Sequence, residues 1–113
     1  MKEVGHSVRA GWSRSAIIAN GEQSSSAIEN KYGADLGVVI PAAFTGTALT
    51  FEVSHNGVTY QGLYGLDGNA VSLTVAQGRS YVLPAALLPW PYFKLKSGSA
   101  EGAARTLNVV IKG

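Results

Sequence analysis

No cysteine occurs in this 113-residue chain, which removes disulfide frameworks and thiolate metal sites from consideration. That fits a reducing cytosol, or a particle assembled within one. Charge is scarce as well. Asp, Glu, Lys and Arg supply 14% of the residues and apolar types 46%, a balance too apolar for a disordered chain and too poor in charge for an ordinary solvated surface. A small domain leaves much of its surface exposed, so part of this apolar content is expected to be covered by a partner.

The net charge of +2 is spread without a cluster. The basic stripe of a nucleic-acid binder is missing, and no direct nucleic-acid contact is expected. No run approaches membrane-spanning length, and the start "MKEVGHSVRAGWSRS" has no apolar stretch of signal-peptide length. The expectation is a soluble single domain that neither contacts a membrane nor carries an export signal of its own.

Helical periodicity is the next thing in short supply. The best candidate, "SSSAIENKYG" (24–33), offers a serine cap but only Ala27 and Ile28 as apolar partners, and "PAALLPW" (84–90) has room for a single turn before Pro89. What the chain has instead is short apolar runs cut by fourteen glycines and four prolines. These are "SAIIA" (15–19), "LGVVIP" (36–41), "ALTFEVS" (48–54), "VTYQGLY" (58–64), "AVSLTVA" (70–76), "SYVLP" (80–84), "YFKLKS" (92–97) and "RTLNVVIK" (105–112). Several alternate with period two: Leu49, Phe51 and Val53 share one face, Thr50, Glu52 and Ser54 the other. The pattern predicts an all-β fold, an antiparallel β-sandwich over residues 14–113, with jelly-roll and immunoglobulin-like topologies both open. Residues 1–13 are polar and basic around a single Trp12. They read as an N-terminal arm, either frayed or docked on a neighbour with Trp12 as anchor and Arg9 beside it.

Nothing in the sequence assembles a catalytic centre. His6 lies in the arm, and His55 sits in "SHNG", where Asn56-Gly57 predicts a tight two-residue hairpin turn. A triad from His55 with Asp35 or Asp67 lacks a nucleophile elbow. Glu22, Glu29, Asp35, Glu52, Asp67 and Glu101 are scattered singly, as acids on polar faces and turns. "LDGNA" (66–70) lacks the repeated positions and closing glutamate of a calcium loop, and "SGSAEG" (97–102) reads as a flexible loop. No enzyme, metal or cofactor is expected. The remaining resource is aromatic. Tyr60 and Tyr64, four apart, are predicted on one strand face, and Trp90, between Pro89 and Pro91, belongs to a loop or edge beside Tyr92. Arg9, Trp12, Tyr60, Tyr64, Trp90 and Tyr92 are the candidate contact residues, as interface packing or as platforms for sugar rings.

Four elements in order carry a family resemblance. Pro41-Ala42-Ala43-Phe44-Thr45 matches "P-A-x-[WF]-T", and Leu49 to Tyr60 matches "L-T-F-x-V-S-x-[DN]-G-x-T-[FY]". Phe93 to Gly98 stands at "[IL]-K-[LV]-[KR]-S-G", with Phe93 in place of its aliphatic first residue, and Arg105 to Leu107 supplies "R-T-L". Over residues 34–113 the chain resembles small β-sandwich proteins from the virion genes of tailed bacteriophages. The resemblance implies a non-enzymatic virion component assembled in the host cytoplasm, such as a capsid cement or decoration subunit. Its partners would be the major capsid protein or other virion subunits, and it would act as a homo-oligomer, a trimer or dimer. A tail or fibre component, or a carbohydrate-binding module, is the alternative. His55-Asn56 departs from the group, which often has an acidic residue before Gly57.

Overall fold

A computed structural model describes residues 11–30 and 33–113. Among them nine strands form two antiparallel sheets. One sheet is ordered β1 (Gly11–Ile18), β9 (Arg105–Lys112), β3 (Asp35–Val39), β7 (Ser80–Val82). The other is ordered β2 (Ile28–Glu29), β8 (Tyr92–Ser97), β4 (Ala48–Ser54), β5 (Gln61–Gly62), with β6 (Ser72–Thr74) also on β4.

β5 and β6 lie on the same side of β4. Val53 pairs with Gln61 and Glu52 with Gly62, Leu63 N–H donates to Phe51 O, and Thr50 then pairs with Ser72. They are two halves of one strand, interrupted by an excursion over residues 64–70 whose neck is the Tyr64–Ala70 bridge. Counted so, eight strand positions form two four-stranded sheets, ordered first-eighth-third-sixth and second-seventh-fourth-fifth, which is the order of a jelly roll. That order settles the topology left open by strand periodicity against the immunoglobulin-like arrangement.

The sheets bury the faces that the alternation marks. Ala16, Ile18, Leu36, Val38, Leu107, Val109 and Ile111 point inward from the first sheet; Leu49, Phe51, Val53, Phe93 and Leu95 meet them from the second. Each of these Val, Leu, Ile and Phe side chains is worth about 1.5–3 kcal/mol when fully buried. Phe44, from a loop, and Leu87, from a short 3-10 turn, join the same core.

Two expectations change, and the best helical candidate of the sequence proves extended, in keeping with an all-β chain. The segment 24–33 is not helical where described: Ser24 bridges to Lys96, Ser25 to Ile18, and Ile28 pairs with Phe93. Ser25 also accepts through its Oγ the N–H of Leu95 at 3.0 Å, using a serine's capacity to compete with helical hydrogen bonds. The arm is shorter than 1–13, because β1 starts at Gly11 and pairs Trp12 with Ile111. Trp12 is half-buried against the core and paired within the sheet. The rest of the arm, Arg9 included, lies outside the described residues. The other change is the turn at Asn56-Gly57.

Candidate functional site

Pairing of β4 with β5 begins at Val53–Gln61, so the connection runs from Ser54 to Tyr60 rather than over two residues. Side chains build it. Asn56 Oδ1 accepts the N–H groups of Val58 at 2.8 Å and Thr59 at 3.1 Å. Ser54 Oγ accepts those of Asn56 and Gly57 and donates to Asn56 Oδ1 at 2.9 Å. These local bonds outcompete the ladder that a two-residue turn would continue. Gly57 does take positive φ, +78°, and lies against the ring of Tyr92. The loop is therefore braced from within and from β8.

A cavity of about 320 Å³ lies between this loop, β5 and Trp90. Val53 and Leu63 supply buried apolar walls, Tyr64 and Trp90 aromatic ones, and His55, Asn56, Thr59 and Gln61 the polar ones. Trp90 is held by its own corner. Ala85–Leu87 form a 3-10 turn, Trp90 N–H donates to Leu87 O at 3.1 Å, and Pro91 O accepts from Asn30 N–H at 2.8 Å. The single turn expected for "PAALLPW" is there, and Trp90 stands outside every paired strand.

Tyr60 and Tyr64 flank β5 on the outer face of the second sheet. Lys94 Nζ sits 4.4 Å from the Tyr60 ring centroid, and the Tyr64 ring lies over Gly62. Partial burial, and then the neighbouring Tyr92, hold the Tyr60 phenol above its ordinary 10.0. Tyr64 is 65% exposed and borders a second, smaller cavity of about 180 Å³ with Thr50, Glu52, Ala70 and Lys96. Three candidates thus gather on the outer face (Tyr60, Tyr64, Tyr92), and Tyr64 also joins Trp90. Trp12 is in the opposite sheet.

The most connected carboxylate is Glu101, which the sequence places in a flexible loop. It is 1% exposed and accepts from Thr45 N and Oγ1, Gly46 N, Ser97 Oγ and Arg105 Nε. Burial works to raise its pKa, but the bonds from Arg105, Thr45 and Ser97 outweigh it and hold the group below 4.5. Its own backbone joins Gly21 and Glu22, so the residue is a structural knot of three loops. Among the described residues no three of His, Asp and Glu cluster as metal ligands, and no helix is long and apolar enough to cross a membrane.

Sequence reasoning missed two features. Gln61 faces the cavity because its partner Val53 faces inward, a consequence of register. Leu66, fully exposed at the tip of the 64–70 excursion, owes its position to a strand interruption that turn residues alone do not distinguish from a hairpin.

No protein-family model matches the sequence, and no curated protein matches it. Among solved structures the chain is similar to the crystal structure of SPBc2 prophage-derived protein YomS, at 13% identity and a TM-score of 0.56. The match covers 92% of this chain and 96% of that one, so the likeness spans the whole sandwich and is one of fold.

Proposed function

We propose that the chain is a non-enzymatic structural protein of a bacteriophage particle, a cement or decoration subunit that binds the assembled head. The observation that carries this reading is the end-to-end match in fold to a prophage-derived protein. It agrees with the order of virion-type elements over residues 34–113. The surface supports it. Register places Val110, Gly37 and Val82 in one row across the outer face of the first sheet, with Val39 in the next row beside Asn108 and Ile17 in the one after, beside Thr106; the four large apolar side chains are all exposed. That face carries charge chiefly at one end, where Asp35 pairs with Lys112. Exposed valines and an isoleucine among Ser, Thr and Asn, with little charge, make a face of the kind that a partner surface covers.

The partner in this reading is the major capsid protein, and the protein acts as a symmetric oligomer, a trimer or dimer. Several weak contacts made at once would then give a strong hold on the shell. The site of action is the virion. Purified protein should bind expanded capsids and raise their rupture temperature, with added density on the shell in electron micrographs. Equal rupture temperatures with and without the protein would reject the cement role, and density on the tail would assign it to a tail or fibre.

A further inference from the structure

We propose that the cavity beside Trp90 binds a neutral saccharide unit of a glycan. The starting observation is Gln61. Its cross-strand partner Val53 is 4% exposed and its strand neighbour Leu63 is 7% exposed, both facing the core. An apolar side chain at position 61 would extend that core to the sheet edge. The chain puts a carboxamide there, and the edge of the core opens into the cavity.

The lining selects the ligand. Trp90 and Tyr64 offer aromatic faces, which suit the C–H face of a pyranose ring. Around them stand Gln61, Asn56, Thr59 and His55, and among the described residues no Asp, Glu, Lys or Arg lines the space. Carboxamides and hydroxyls both donate and accept, matching hydroxyl groups that do the same. Asn56 spends Oδ1 on the loop, which leaves its Nδ2 for a ligand; the Gln61 side chain has no hydrogen bond among the described residues. A charged ligand would have no counter-charge here, and an apolar one would leave these groups unpaired.

The site is also preorganised, which lowers the cost of binding. The loop bonds hold Asn56 and Thr59, the 3-10 corner holds Trp90, and the ladder holds Gln61. Its volume falls in the range of small-molecule pockets, about 300–1,000 Å³. Tyr64 borders both this cavity and the one beside Lys96 and Glu52, so a glycan chain can run across its ring from one to the other. The inference does not depend on where the subunit sits on a particle.

The test uses the full chain carrying Trp12→Phe, which leaves Trp90 as the remaining tryptophan. Methyl glycosides of glucose, galactose, mannose and rhamnose, N-acetylglucosamine, N-acetylgalactosamine and their short oligomers are titrated, with glucuronate and glucosamine as charged controls. Fluorescence and amide NMR are the readouts. The expected result is a saturable Trp90 change, in about the millimolar range of Kd, with shifts at the Asn56, Gln61 and Trp90 resonances. Gln61→Ala, an exposed substitution, should weaken the binding about tenfold, and Trp90→Ala should abolish it. The proposal is overturned if no neutral sugar moves those resonances, if charged sugars bind equally, or if binding survives Trp90→Ala. It is also overturned if raising protein concentration alone shifts the same resonances, since a second copy would then fill the cavity. Capsid binding without sugar binding would remove this site and leave the cement reading standing; the reverse would do the opposite.

Discussion

Arg105 Nε donates to Glu101 Oε1 at 3.0 Å, four residues along the chain and inside a carboxylate site that is closed to solvent. The same carboxylate takes hydrogen bonds from Thr45, Gly46 and Ser97. It joins the loop before β4 to the turn between β8 and β9. Replacing Glu101 by Gln removes the charge and turns an amide N–H₂ toward these donors. Losing one partner of a buried ionic network costs about 3–5 kcal/mol. The expected outcome is a loss at the low end of that range, about 3 kcal/mol, read from the midpoint of urea unfolding.

The same group sets an acid limit. The folded pKa of Glu101 lies below the ordinary 4.5. As pH falls, the unfolded chain therefore takes up the proton first, and folding loses stability. The contribution of Glu101 is present in full above 4.5 and disappears as pH drops through the lower folded value. Unfolding free energy measured at a series of pH values should decline on that side in the parent protein. In Glu101→Gln this part of the decline should be missing; identical slopes would show that the carboxylate is not selectively stabilised.

How much of this was legible in the sequence follows from range of interaction. Leu49, Phe51 and Val53 announce their strand by local alternation, and β4 occupies the predicted 48–54 span. The alternation says nothing of which strands are neighbours, so the jelly-roll order needed the register. Asn56-Gly57 correctly signalled a turn with positive φ, but not its length, because Ser54 and Asn56 side chains set that. Glu101 looked like an isolated acid since its partners Thr45 and Gly46 are more than fifty residues away. Tyr64 and Trp90, 26 positions apart, give no sequence sign that they share a cavity.

Two glycines with nearly equal φ separate backbone strain from packing. Gly57 and Gly68 sit at φ +78° and +82°. An alanine at either incurs the left-handed penalty of about 1–2 kcal/mol. At Gly57 the new Cβ would also lie 3.2 Å from Tyr92 Cζ, whereas at Gly68 nothing lies within 4 Å. Gly57→Ala should thus be the more destabilising of the two by thermal unfolding, and it should shift the Tyr92 ring resonances. Equal losses would mean that the Tyr92 ring gives way without cost.

The exposed face of the first sheet supplies a test without a stability confound. Val82 is 81% exposed and pairs with Gly37, so a lysine there meets no buried group. Val82→Lys should alter unfolding free energy by no more than about 0.5 kcal/mol. It should weaken binding to capsids about tenfold if this face is the docking surface, since a desolvated unpaired ammonium opposes contact. Unchanged capsid affinity at unchanged stability would move the contact elsewhere, with Leu66 at the tip of the 64–70 excursion as the next residue to substitute.

Asn56 links the scaffold to the cavity. Its Oδ1 holds the N–H groups of Val58 and Thr59, and it takes the Ser54 hydroxyl as well. Asn56→Ala leaves both N–H groups without that acceptor, but they are at the surface, where water replaces it in part. The loss of stability should be about 1–2 kcal/mol, smaller than that for Glu101, whose carboxylate is buried. Asn56→Asp keeps an acceptor at the same place and should retain most of the stability. It nevertheless exchanges Nδ2 for an oxygen and brings a negative charge to the cavity wall. Loop rigidity, read from hydrogen exchange at Val58 and Thr59, should therefore fall in Asn56→Ala and survive in Asn56→Asp. Equal protection in all three proteins would show that the loop is held by Gly57 against Tyr92 and by Ser54, and that Asn56 is free to serve the cavity alone.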